Sequence, residues 1–172
     1  MLVFCEILFL SLFFLELIII AEFSLRFNVK PTIMGRTMPR ELKTTAAAMV
    51  AEARTTIREI DAADAIALVG DDNWQFIDIR DIRERRKSGF IPGSFHCPRG
   101  MTEFWIDPES PYFNPVFDQD KSYILYCAAG WRSALTAAMM QDMGFEPVAH
   151  VTDGFTSWLE AEGPVEHSDE DK

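Results

Sequence analysis

The chain has 172 residues, 48% hydrophobic and 25% charged, with 9 Gly and 9 Pro. At roughly 100–200 residues per domain this is one domain with an extension, and the composition excludes collagen-like, low-complexity and wholly disordered chains. Sixteen Lys and Arg against 27 Asp and Glu give a formal charge of −11, so a nucleic-acid backbone is not an expected partner. Three cysteines (Cys5, Cys97 and Cys127) are too few and too scattered for a disulfide framework or a zinc site. They suit a reducing compartment, where an unpaired thiol can act as a nucleophile. His96, His150 and His167 form no metal-ligating pattern, so no metal site is expected.

Residues 1–25 differ from the rest. Fifteen Leu, Ile, Val or Phe lie between positions 2 and 20, interrupted by Glu6 and Glu16. Such a run is long enough to span a bilayer. The apolar residues contribute about −4.5 to −9 kcal/mol on the insertion scale and the two acids cost very roughly 5, which is marginal. A secretory signal fits poorly, because no Lys or Arg precedes the run and no A-x-A pattern follows. Two readings stand side by side. The segment is a membrane anchor, with the remainder cytoplasmic because Arg26, Lys30, Arg36, Arg40 and Lys43 follow it; or it lies upstream of a start at Met34 or Met38. Membrane contact is expected through this segment alone. Residues 26–43 read as a linker broken by Pro31, Gly35 and Pro39.

Val50, Ala53, Ile57 and Ile60 recur at helical spacing and predict a helix over 44–57, although the pattern runs past that end. Asp61 reads as an N-cap, with Asp64 in the first turn of a short helix that Gly70 stops. Phe76–Ile79, Ser122–Tyr126 and Pro147–Val151 read as short buried strands. Trp131–Met143, stopped by Gly144, and Thr156–Ala161 read as helices. This alternation predicts an α/β fold with a parallel sheet covered on both faces. The acidic tail, 165–172, needs only solvation.

The chemistry concentrates in Cys127-Ala-Ala-Gly130-Trp-Arg132-Ser133. A buried strand ends in Cys127, a short loop follows, and Arg132 opens a helix. In a parallel sheet, ligands bind outside the carboxyl ends of the strands. A loop this short can turn its N–H groups inward as an anion-binding nest, with the helix N-terminus behind it. Gly130 permits the turn. A cysteine after a strand is more often an inert core residue. The strand, the C-x-x-x-x-R-S spacing and the helix together favour a reactive thiolate. Cys127 and Arg132 are therefore the candidate catalytic residues, and Ala128, Ala129, Gly130, Trp131 and Ser133 the candidate anion-binding loop. Trp131 either packs the loop or lies against the sulfur. Asp78 and Arg80 read as a buried pair that braces the loop, ahead of a catalytic role. The run Arg80, Arg83, Arg85, Arg86, Lys87 is a solvated helix face or an attractor of anions. Met101, Phe104 and Trp105 either wall the mouth of the site or cover the sheet edge. Cys97 reads as a packed thiol rather than a resolving one.

Four segments carry a family resemblance. They are Phe76-Ile-Asp78-Ile-Arg80 with Glu84, Gly89-Phe-Ile-Pro92-Gly93-Ser94, the cysteine loop, and Gly144-Phe145 with Val151-Thr-Asp-Gly154-Phe and Trp158. Over 58–164 the chain resembles a single-domain member of the rhodanese family. The resemblance implies a five-stranded parallel sheet with helices on both faces. It also implies transfer of a sulfane sulfur, from thiosulfate or a persulfide to a thiol or cyanide, through a persulfide on Cys127 and without a cofactor. Phe90 stands where the family usually has His, and Asp153 where Gly is common. Ala128 and Ala129 leave the front of the loop uncharged, where members favouring thiosulfate carry cations. The family's phosphatase-like cousins place five residues between Cys and Arg. Here there are four, which ranks phosphoester hydrolysis low. The alternative is a non-enzymatic rhodanese-like module: the presence of Cys127 argues against an inert binding module, but not against a persulfide-sensing one.

Overall fold

The computed structural model describes residues 42–167 and two short strands, β1 (Thr32–Ile33) and β2 (Arg36–Thr37). The apolar segment 1–25 and residues 168–172 lie outside the described residues. The chain divides into two compact units, Met1–Lys43 and Thr44–Lys172. In the first, β1 and β2 pair antiparallel, Thr32 opposite Thr37 and Ile33 opposite Arg36, so the stretch read as a linker carries a small hairpin.

The second unit opens with α1 (Ala46–Arg54), capped by Thr45, whose hydroxyl accepts a hydrogen bond from Ala48 N at 3.1 Å. Val50 and Ala53 are its buried residues. The apolar pattern that overran the helix has a simple cause: Ile60 belongs to β3 (Arg58–Ile60), a three-residue strand too short to show an alternation. Asp61 occupies the cap position of α2 (Ala62–Ile66), but its side chain makes no cap hydrogen bond. Then follow β4 (Trp74–Asp78), α3 (Ile82–Ser88), β5 (Phe95–His96), α4 (Thr102–Ile106), β6 (Ser122–Tyr126), α5 (Trp131–Asp142), β7 (Val148–Val151) and α6 (Gly154–Glu160). The five strands β3 to β7 form one sheet in the order β3-β7-β6-β4-β5, every pair parallel. The last strand starts at Val148 rather than Pro147, and the last helix at Gly154 rather than Thr156. Among the described residues no helix is long and apolar enough to cross a membrane.

Strand alternation splits the core into two layers. Tyr123, Leu125 and Cys127 pack with Val50, Ala134, Ala137 and Met140 on the face covered by α1 and α5. Ile124 and Tyr126 pack with Ala62, Ala65, Phe155 and Trp158 on the face covered by α2 and α6. Trp105 packs against the first layer, 5.9 Å from the Phe95 ring of edge strand β5, so it covers the sheet edge. Phe104 is half exposed, edge-on to Tyr112.

Asp78 and Arg80 form a buried bidentate pair, Arg80 Nε to Asp78 Oδ1 at 2.9 Å and Nη2 to Oδ2 at 2.7 Å. Arg80 also donates to Gly89 O and Ser88 Oγ, and its guanidinium lies 4.2 Å from the Phe155 ring centroid. Asp78 further accepts from Arg85 Nη1 at 3.2 Å and Tyr126 O–H at 2.9 Å. The pair therefore fastens the segment from α3 to Ser94, and it reaches the cysteine loop through Tyr126 and Phe155. The basic run is not one surface patch: Arg80 is buried, Arg85 pairs with Asp78, and Arg83 pairs with Asp81. Burial pushes the Asp78 carboxyl up, but the hydrogen bonds and charge of Arg80 outweigh it and hold the carboxyl below its ordinary value. A folded value below the unfolded one makes this contribution complete above the ordinary carboxylate range and lost as pH falls through the folded value. Arg80→Ala removes the bidentate partner of a buried carboxylate, leaving it Arg85 and Tyr126, and is expected to cost up to about 3–5 kcal/mol in chemical denaturation at neutral pH. The deficit shrinks on acidification; one that stayed constant down to about pH 2 would count against Asp78 as its source.

Candidate active site

The central strand β6 delivers Cys127 to the carboxyl edge of the sheet, where it is 1% exposed. The loop to Gly130 is hung from α6. Phe155 N donates to Cys127 O at 2.7 Å, and Thr156 N and Oγ1 both donate to Ala128 O at 2.9 Å. A trans peptide sets each C=O opposite the next N–H. With both carbonyls drawn toward α6, the N–H groups of Ala128 and Ala129 point away from it.

This approach leaves no room for side chains. A methyl on Gly154 (φ 66°) would collide with Cys127 O and lie 2.8 Å from Gly130 N; one on Gly130 (φ 77°) would lie 2.9 Å from Asp153 N. Asp153, where the family favours Gly, has a left-handed φ of 55°. Asp tolerates that region better than most residues, and here Arg54 Nη2 donates to its carboxylate at 3.1 Å.

The thiol has one polar side-chain neighbour held in the core. Ser133, in the first turn of α5, places its hydroxyl 3.6 Å from Cys127 Sγ, 3.1 Å from Gly130 O and 3.2 Å from His150 Nδ1. His150 Nε2 lies 2.9 Å from Glu59 Oε1. Burial lowers the His150 pKa, against the raising effect of the Glu59 hydrogen bond.

Arg132 interacts with Cys127, but its larger partner is Glu84. Its Nη1 and Nη2 donate to the two carboxylate oxygens of Glu84 at 2.8 and 2.7 Å, a bidentate pair between α5 and α3. Glu84 raises the Arg132 pKa, partial burial opposes it, and negative charge on Cys127 raises it further. Trp131 is 51% exposed, which removes the reading of it as a buried packing residue. Cys97 is fully buried, its thiol 3.7 Å from Thr102 Oγ1 and pushed up to about 11 by burial, which keeps it protonated. Among the described residues no cluster of three His, Cys, Asp or Glu is placed to hold a metal ion.

The sequence pattern of the rhodanese-like domain family matches residues 61–161, more than half of the chain. The chain belongs to the rhodanese-like family. It is 29% identical over 111 residues to thiosulfate sulfurtransferase GlpE from Glaesserella parasuis, an alignment spanning 64% of this chain and 94% of that one. A solved structure from Rhodopseudomonas palustris, a protein of unknown function described as a possible tyrosine phosphatase, is 51% identical, with a TM-score of 0.73 over 75% of this chain and 99% of that one. The single-domain sulfurtransferase RDL2 from Saccharomyces cerevisiae shares the fold at 21% identity, with a TM-score of 0.52 over 63% of this chain and 93% of that one.

In this rhodanese-like site the fold brings together Cys127, Ala128, Ala129, Gly130 and Ser133, and sets Arg132 beside them on Glu84. It places Asp78 and Arg80 in the other layer, behind Tyr126. Three participants were not singled out as site residues in the sequence. Glu84 stands in a quoted motif without a partner assigned. His150 and Glu59 face each other only because β7 lies between β3 and β6. The one local signal was the alternation along β7, which sets His150 on the Cys127 side of the sheet.

Because the Arg132–Glu84 pair is more than a third exposed, its contribution is discounted for solvent screening. Arg132→Ala is expected to lower stability by no more than about 1 kcal/mol in thermal denaturation. A loss of several kcal/mol would mean that Arg132 holds the loop itself. By contrast, Gly154→Ala forces the loop off α6 and should cost at least about 1–3 kcal/mol, whereas Asp153→Gly, which relieves strain and loses one ion pair, should stay within about 1 kcal/mol of wild type.

Proposed function

We propose that the protein is a sulfurtransferase that carries a sulfane sulfur on Cys127. The Cys127 thiolate attacks the outer sulfur of a donor, thiosulfate or a persulfide. The donor's S–S bond breaks, sulfite or a thiolate leaves with the bonding pair, and Cys127 keeps the sulfur as a persulfide. An acceptor thiolate or cyanide then attacks that outer sulfur, and Cys127 leaves as the thiolate. No electrons come from outside and no cofactor is needed.

The observation that carries the reading is the orientation of the loop peptides. Two carbonyls are satisfied at α6, so the amides of Ala128 and Ala129 face outward from it as fixed donors. Amides fixed before reaction stabilise developing negative charge without reorganising. Gly130 allows the turn, and the N-terminus of twelve-residue α5 adds its positive end. Arg132 contributes a cation whose position Glu84 fixes. Trp131, half exposed at the start of α5, is free to meet donor and acceptor. Asp78 and Arg80 act as support. Ala128 and Ala129 bring no cation of their own, which favours donors recognised by amides. A reducing cytoplasm suits a free thiol of this kind.

The similarity to a chain described as a possible tyrosine phosphatase raises phosphoester hydrolysis as the second reading. Two observations weigh against it. Only four residues separate Cys127 from Arg132, and both outer nitrogens of Arg132 are taken by Glu84, whereas bidentate capture of a phosphate needs them free. A purely binding module is the remaining reading, and it has no use for a thiol set against oriented amides.

Intact-mass spectrometry after exposure to thiosulfate, and separately to a low-molecular-weight persulfide, should show a gain of about 32 Da on a nucleophilic thiolate, removed by cyanide or a thiol. Cys127→Ser should fold and stay unloaded. Equal loading of the Ser variant places the chemistry on another residue; no loading of wild type by either donor favours the binding module. Hydrolysis of p-nitrophenyl phosphate dependent on Cys127 would revive the phosphatase reading.

A further inference from the structure

We propose that Ser133, His150 and Glu59 form a proton relay beneath the loop, with Ser133 the catalytic hydroxyl at the reacting sulfur and His150 a positioning residue that acts through it. The proposal rests on the reading of Cys127 as the nucleophile and adds how that thiol loses its proton inside a closed core. The four groups come from four elements. Cys127 follows β6, Ser133 lies on α5, His150 on β7 and Glu59 on β3. The line runs Sγ to Oγ at 3.6 Å, Oγ to Nδ1 at 3.2 Å and Nε2 to Oε1 at 2.9 Å. Cys127, Ser133 and His150 are all buried, so a proton leaving Sγ meets protein groups before it meets water.

The relay requires one direction for each bond. The ionised Glu59 carboxylate can only accept, so His150 Nε2 carries a proton. In the neutral ring Nδ1 is then an acceptor, and the Ser133 hydroxyl is the donor it faces. With that proton directed to the ring rather than to Gly130 O, its other acceptor at 3.1 Å, the Ser133 oxygen presents a lone pair to the Cys127 S–H. On ionisation the S–H bond breaks and the proton moves to Oγ, while the original Oγ proton moves to Nδ1. The products are a thiolate, a neutral Ser133 hydroxyl that now donates to it, and an imidazolium that donates from Nδ1 to Ser133 and from Nε2 to Glu59. No proton is gained or lost, and the negative Glu59 sits against the new positive ring. His150 is faced by Glu59 from β3, Arg54 from the end of α1 and Asp153 from the turn before α6. Arg54 disfavours the imidazolium and the two carboxylates favour it. Burial favours the neutral ring.

The competing role for Ser133 is structural, a hydroxyl that bonds only Gly130 O while His150 merely fills the core. Two measurements separate them. The first uses wild type alone: in ¹⁵N-histidine NMR near about pH 7, the relay expects His150 either as the Nε2–H tautomer or as the imidazolium. A neutral Nδ1–H tautomer overturns it, because Ser133 then has no acceptor at the ring. The second follows the rate of Cys127 alkylation by iodoacetamide against pH. Ser133→Ala and His150→Asn, which keeps a hydrogen-bond acceptor but cannot take a proton, should each lower the rate near about pH 7 by roughly tenfold. Both should match wild type near about pH 10, where hydroxide removes the proton, and that plateau shows the site still folded. Unchanged profiles in both variants overturn the relay, and if a variant fails to fold, the wild-type tautomer decides. Neither readout needs a sulfur donor. Failure of wild type to gain about 32 Da would therefore sink the sulfur-transfer reading while leaving the relay to be judged on its own.

Discussion

Two hydrogen bonds from the start of α6 back to the cysteine loop govern the site: Phe155 N to Cys127 O and Thr156 N to Ala128 O. They turn two peptide planes the same way, and the amides on the other edge of those planes follow without further instruction. The close approach they need explains why Gly154 and Gly130 have no side chains and why Asp153 sits in left-handed backbone with an arginine to hold it. The loop is thus an extension of the sheet edge and a helix end, not a freely placed surface turn. Preorganisation of this kind has to be built in the fold, because a flexible loop would lose the stabilisation to reorganisation.

The same strand end separates two buried polar systems. Tyr126 and Cys127 are neighbours in sequence and face opposite layers of the core. Tyr126 joins Asp78, Arg80, Ser94 and Ile91 N, a network whose polar atoms are paired within the protein. Such a network is stabilising only while complete, since a stranded charge in low dielectric costs several kcal/mol. Cys127 joins Ser133 and His150 on the other face. The first system fixes where the strand end sits, and the second determines what the sulfur at that end meets.

Charge at the site is local. The chain carries −11 overall, which disfavours anionic ligands at a distance. Beyond about 8–10 Å, however, salt screens that field, while the amides and the α5 terminus act within a few ångströms. Holding Arg132 on Glu84 fits the same arrangement. The cation is placed by a partner on α3 rather than left free to clamp a large oxyanion, which suits a ligand whose charge is concentrated on a terminal sulfur.

The parallel α/β architecture, the strand carrying Cys127, the helix opening at Trp131 and the Asp78–Arg80 pair were all legible in the sequence, because each depends on short-range periodicity or on turn chemistry within a few residues. β3 and β5 were not, since strands of three and two residues are too short to alternate visibly. Their existence was implied only by the family resemblance. Nor was the overrun of the helical pattern into Ile60 interpretable until β3 was seen beside β7. The site divides along the same line. Cys127, Gly130 and Ser133 share one local motif and were readable together. Arg132 was readable as a neighbour of the sulfur, but not the Glu84 carboxylate that holds its guanidinium from 48 residues away, nor the joining of His150 to Glu59 across 91 residues. Partners so distant are decided by strand order and helix packing. No local pattern encodes those, and only the folded sheet brings such groups within hydrogen-bonding reach.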